Sequence, residues 1–115
     1  MSKPEPGASA DSHRAAARAF VRQVRDRDLD LESLILFGST ARDEAAGLES
    51  DVDFLAVVPD EADETVADEL RDIAYDVMLE HGPVVEVHVV SRSTFEARRD
   101  HPFVRGVVRG GEVHV

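Results

Sequence analysis

The sequence predicts an α+β domain with α/β-like alternation: one small sheet with helices packed mainly on one face. Three observations predict it. Apolar runs of strand length at 31–37, 52–58 and 84–90 alternate with stretches whose apolar residues recur at helical spacing. Pro59, Gly82-Pro83 and Gly110-Gly111 punctuate the boundaries between them. A hydrophobic content of 43% in 115 residues supplies one core and no second domain. Strands separated by helices then form a sheet whose helices stack against it, leaving the other face open.

Each element has its own reason. Residues 1–11 lack an apolar signal core and read as a disordered lead-in, so the domain is expected over 12–115 and the default compartment is cytoplasmic. Over 12–27, Ala16, Ala17, Phe20, Val21 and Val24 recur at helical spacing, with Ser12 as a candidate N-cap. Residues 31–37 form a nearly continuous apolar strand ended by Gly38. A short helix is expected at 40–44, then a loop at 45–50 containing Gly47. The strand at 52–58 stops at Pro59. Asp60 is placed to cap a helix running to about His81, with Val66, Leu70, Ile73, Ala74 and Val77 on one face. A third strand follows at 84–90. Ser93 and Glu96 have capping-box spacing for a short helix, and Pro102 suits the first turn of another. Residues 112–115 can add a short edge strand.

Composition removes several function classes. With no Cys there is no disulfide or thiolate chemistry, and no apolar stretch reaches membrane-spanning length. The formal net charge is −11, and Lys3 is the one Lys among 13 basic residues. Such an acidic, Arg-not-Lys surface suggests adaptation to high salt, the plainer alternative being an ordinary acidic protein. No basic stripe is available to grip a nucleic-acid backbone. Arg98, Arg99, Arg105 and Arg109 are read as balancing acidic neighbours or helix ends.

The chemistry is concentrated at 34–58. Gly38-Ser39 sits between a strand and a short helix, so backbone N–H groups of residues 39 to 41 can point at phosphate oxygens, with the Ser39 hydroxyl as a further donor. Arg42, one turn along, can reach the same phosphates or salt-bridge Asp43, Glu44 or Glu49. Asp51 and Asp53 share one side of the next strand, while Val52, Phe54 and Ala56 face the helices. Paired oxygen donors beside a triphosphate suit Mg²⁺. Two such ions about 3.5–4 Å apart would activate an attacking oxygen and stabilise a leaving pyrophosphate. Asp-x-Asp also occurs at 26–28 and 28–30, but a helix end and a polar loop make those solvated surface. Asp51 and Asp53 differ because they open an apolar strand, where unpaired charge is costly.

Gly38-Ser39, Ala41-Arg42 and Ser50-Asp51-Val52-Asp53, followed by the apolar residues 54–58, resemble the signature of the minimal nucleotidyltransferases of the DNA polymerase beta-like superfamily. The resemblance covers about 12–115. It implies a nucleotidyltransferase fold with a mixed sheet, Mg²⁺ dependence, and transfer of a nucleotidyl group from an NTP with loss of pyrophosphate. The Gly-Ser turn would contact the triphosphate and the two Asp residues would bind metal.

This chain departs from the pattern twice. The eleven residues at 40–50 are one more than the family usually has between Ser39 and Asp51. The third carboxylate, commonly Asp on the next strand, is here Glu86, the sole acid within 84–90. Glu86 is thus the candidate third ligand, or the base for the incoming hydroxyl. The competing reading makes Glu86 and His88 the solvated side of a strand, with His88 pairing with Glu86 or a neighbouring acid. His13, His81, His101 and His114 are expected to be structural or exposed.

The resulting expectation is a nucleotidyltransferase that moves AMP from ATP to a hydroxyl, with two Mg²⁺ ions. Asp51, Asp53 and Glu86 are the catalytic and metal-binding residues, and Gly38, Ser39 and Arg42 hold the nucleotide. With no substrate domain expected, the acceptor must lie on another chain or in an oligomer cleft. The resemblance implies a small helical HEPN toxin as partner, the chain being the antitoxin that adenylylates it. A second reading is a binding module that neutralises such a partner by contact, with weak or no catalysis. Small-molecule modification and DNA polymerisation rank below both.

Overall fold

A computed structural model describes residues 10–42, 51–62 and 64–115. The elements are α1 (Ala10–Asp26), β1 (Ser33–Phe37), β2 (Val52–Val58), α2 (Glu64–His81), β3 (Val85–Ser91), α3 (Arg92–Ala97), α4 (Pro102–Gly110) and β4 (Glu112–Val113). They build a four-stranded mixed sheet in the order β3-β2-β1-β4. β1 runs antiparallel to both β2 and β4, and β2 runs parallel to β3, which it reaches through α2. No described helix is long and apolar enough to cross a membrane.

Strand alternation divides the sheet into two faces. Leu34 and Leu36 of β1 and Val52, Phe54 and Ala56 of β2 face α1 and α2, where they join Phe20, Leu70, Ile73 and Val77 in the main core. Phe20 and Phe54 are both fully buried, with ring centroids 4.6 Å apart. Each such side chain contributes roughly 1.5–3 kcal/mol through its removal from water. On the opposite face, Ile35 and Leu55 form a smaller cluster with Val107 of α4, edged by Phe37, Val90 and Phe95. Helices therefore lie mainly on one face, and α3 and α4 shelter part of the other. The expected open face is narrower than the sequence pattern implies, because α4 turns Val104 and Val107 inward.

Several helix ends differ from expectation. Ser12 lies inside α1 instead of capping it. Asp60 does not lead directly into α2. Its carboxylate accepts from the backbone N–H of Ser93 at 2.8 Å, serving the start of α3. The N-cap of α3 is Ser91, whose hydroxyl accepts from Thr94 N at 3.2 Å, so the Ser93–Glu96 capping box is not used. Replacing Ser91 with Ala should cost about 1 kcal/mol, read as a lower urea midpoint at unchanged slope. An unchanged midpoint would show that α3 holds without its cap.

One clamp links the fold to the coming site. Arg14 of α1 donates to both carboxylate oxygens of Glu112 in β4, at 2.8 and 2.7 Å, and also to the Ala41 carbonyl at 3.4 Å. This bidentate pair holds the Glu112 carboxyl below its usual range, chiefly through the hydrogen bond from Arg14. It ties the first helix, the last strand and the turn after β1 into one corner.

Candidate active site

The site is assembled by the register of two neighbouring strands. Asp53 of β2 lies beside Phe37 of β1 on one side and beside Glu86 of β3 on the other. Asp53, Glu86 and His88 each offer a ligand atom, and these atoms all lie within 4.8 Å of one another. Among the described residues no other group of His, Asp and Glu comes together in this way. The Asp-x-Asp matches at 26–28 and 28–30 stay apart, at the end of α1 and the turn beyond it, where Asp28 adopts φ 52°.

Burial and charge crowding leave a mark on Asp53. Burial first, then the carboxylates of Glu86 and Asp51, push its carboxyl from 3.8 up to about 6, with His88 acting in the opposite direction. Folding therefore favours the protonated acid. Its contribution to stability is fully present below 3.8 and is lost as pH rises through about 6. A cation placed among these oxygens would reverse that preference. Asp51, immediately before β2, acts on Asp53 electrostatically but is not one of the three clustered ligand residues.

The Gly-Ser turn sits directly against this cluster. Gly38 has φ +79°, and a Cβ at that position would lie 2.9 Å from Oδ2 of Asp53. Glycine is thus required twice, for the left-handed backbone and for the close approach of the turn to the carboxylate. The turn is closed by Arg42 N–H donating to the Gly38 carbonyl at 3.2 Å. A single turn of this kind leaves the N–H groups of residues 39 to 41 unused by the turn itself. Thr40 is buried beneath it, whereas Ser39 is half-buried and Arg42 exposed. The expected helix at 40–44 is only this turn as far as Arg42. Its last two residues, and the loop at 45–50 with the extra residue, lie outside the described residues.

Beside the turn opens a cleft of about 270 Å³ whose lining includes Phe37, Gly38, Arg42, Phe103 and Gly106. Phe103 meets Phe37 edge-on at 5.5 Å, and both rings lie 5.8 Å from the His88 ring. Sequence reasoning paired His88 with Glu86 by strand parity but missed this aromatic wall. Phe103 reaches it only through the path of α4 across the sheet.

The nucleotidyltransferase-domain family matches residues 17–109. The chain belongs to that family. No curated protein sequence matches it. This nucleotidyltransferase domain does, however, resemble solved structures. One is from a toxin–antitoxin with AMP-PNP, at TM-score 0.57 and 20% identity over 85% of this chain and 71% of the other. A second is from the complex of a tri-AMPylated Shewanella oneidensis HEPN toxin with its MNT antitoxin, at TM-score 0.52 and 19% identity over 90% and 71%. A third, from Sulfolobus solfataricus and described as a nucleotidyltransferase, gives 0.51 and 22% over 98% and 89%. These likenesses establish a shared fold.

The donor set of the nucleotidyltransferase domain suits a divalent cation. Two carboxylates and an imidazole converge, and burial together with the neighbouring carboxylates of Glu86 and Asp51 raises the pKa of Asp53. Asp53 and Glu86 would hold the ion, with Asp51 adjacent.

Proposed function

We propose that this nucleotidyltransferase domain transfers AMP from ATP to a hydroxyl on a HEPN-type partner protein, as the antitoxin of a toxin–antitoxin pair. The observation that carries the chemistry is the contact of the Gly38 turn with Asp53, itself register-paired with Glu86. Phosphate donors and cation ligands share one small space. The likeness to toxin–antitoxin structures supports the choice of partner.

In this reading the N–H groups of residues 39 to 41 and the Ser39 hydroxyl hold the triphosphate, and Arg42 adds positive charge at the mouth of the cleft. The acceptor oxygen attacks the α-phosphorus, the bond to the bridging oxygen breaks, and pyrophosphate leaves. Mg²⁺, when bound there, would supply Lewis-acid stabilisation of the attacking and leaving oxygens. Asp53 on β2, with Asp51 immediately before the strand, would hold the ions. Glu86, exposed on β3, completes the ligand set or takes the acceptor proton. The acceptor would come to the open edge of the site at β3, one of the two outer strands of the sheet.

The test is to capture the partner from the native cells with this chain, then incubate it with ATP and Mg²⁺. An AMP-sized mass gain on the partner is expected, absent with Asp51→Ala or Asp53→Ala. A partner inhibited but unmodified would instead establish neutralisation by contact. Persistent modification with both variants would contradict the site assignment.

A further inference from the structure

Building on the reading of this site as a metal-dependent nucleotidyltransferase centre, we infer that His88 is a metal ligand. It would join Asp53 and Glu86 in a mixed nitrogen–oxygen set that favours a first-row transition cation such as Mn²⁺ or Co²⁺ over Mg²⁺. Glu86 and His88 are two residues apart on β3, so both side chains leave the same face of the sheet as Asp53. Their ligand atoms lie within 4.8 Å of each other and of Asp53. Groups sharing an ion through bonds of about 2.1 Å stand up to about 4.2 Å apart, so only a small inward adjustment is needed.

The imidazole is also pre-positioned. Phe37 and Phe103 hold its ring from two directions, with centroids at 5.8 Å. Among the described residues His88 makes these ring contacts but no hydrogen bond that commits either nitrogen. A solvated strand face needs no such aromatic brace. All-oxygen sites suit Mg²⁺, whereas an added imidazole raises affinity for transition cations relative to Mg²⁺.

The test is calorimetric titration of the full chain with MgCl₂, MnCl₂ and CoCl₂, together with the visible absorption of the Co²⁺ form. His88→Phe keeps a ring against Phe37 and Phe103 but has no donor, and His88→Gln is a second variant should the first fold poorly. The expected result is a loss of Mn²⁺ and Co²⁺ affinity on the order of tenfold, an altered Co²⁺ band, and a change for Mg²⁺ below about twofold. Equal effects on all three ions, or unchanged affinities and spectrum, would overturn the assignment. Asp53→Asn separates this failure from the larger one: it should weaken binding of every cation, and unchanged binding there would refute the site itself.

Discussion

Replacing Asp53 with Asn is expected to lower nucleotidyl transfer by roughly 10³-fold while raising the thermal midpoint of the metal-free protein at neutral pH. The first effect follows from losing a cation ligand. Metal-borne charge stabilisation amounts to several kcal/mol, and about 1.4 kcal/mol corresponds to tenfold in rate. The second follows from the raised pKa. Above pH about 6 the wild-type carboxylate is ionised in a half-buried position beside Glu86 and Asp51, which destabilises the fold. Asn removes that charge. The gain in midpoint should shrink as pH falls from 7.5 towards 4.5, where Asp53 takes up its proton. Pyrophosphate release and thermal melts at the two pH values measure both effects. A metal-free variant that is less stable than wild type at pH 7.5 would contradict the account.

Gly38→Ala is expected to lose both stability and activity, for separable reasons. Its φ of +79° costs an L-residue about 1–2 kcal/mol, read as a lower urea midpoint. The added methyl would also meet Oδ2 of Asp53 at 2.9 Å. That oxygen ends a short side chain which can rotate away, so the clash costs little folding energy. It displaces the carboxylate instead. A misplacement of this size should lower transfer by about 10²-fold even where the variant is fully folded. Gly111→Ala provides a contrast: its Cβ would run into the Val107 carbonyl and Ile35 and not into Asp53. It should act through stability. Normal transfer by folded Gly38→Ala protein would separate the turn from the chemistry.

How far the sequence could be read depended on how local each signal was. The three long strands and the two long helices follow from apolar period, and their bounds differ from expectation by a few residues at most. The cap expected at Asp60 is absent because that carboxylate serves Ser93, a partner 33 residues away that no local pattern marks. Likewise Arg14 finds Glu112 across 98 residues and braces the turn at Ala41. In the site, Gly38, Asp53 and Glu86 were legible from position and strand parity, and the structure brings them together. That Gly38 packs on Asp53 depends on β1 and β2 being antiparallel, which periodicity does not encode. His88 had the right parity, but its meaning rests on Phe103, carried in by α4.

In the proposed mechanism one small site holds both a triphosphate and divalent cations. Diffraction from crystals grown with Mn²⁺ and a non-hydrolysable ATP analogue tests it most directly. Anomalous density ligated by Asp53 and Glu86 is expected, with the triphosphate against the backbone of residues 38–41. Manganese at other residues, or a nucleotide bound away from the Gly38 turn, would contradict it.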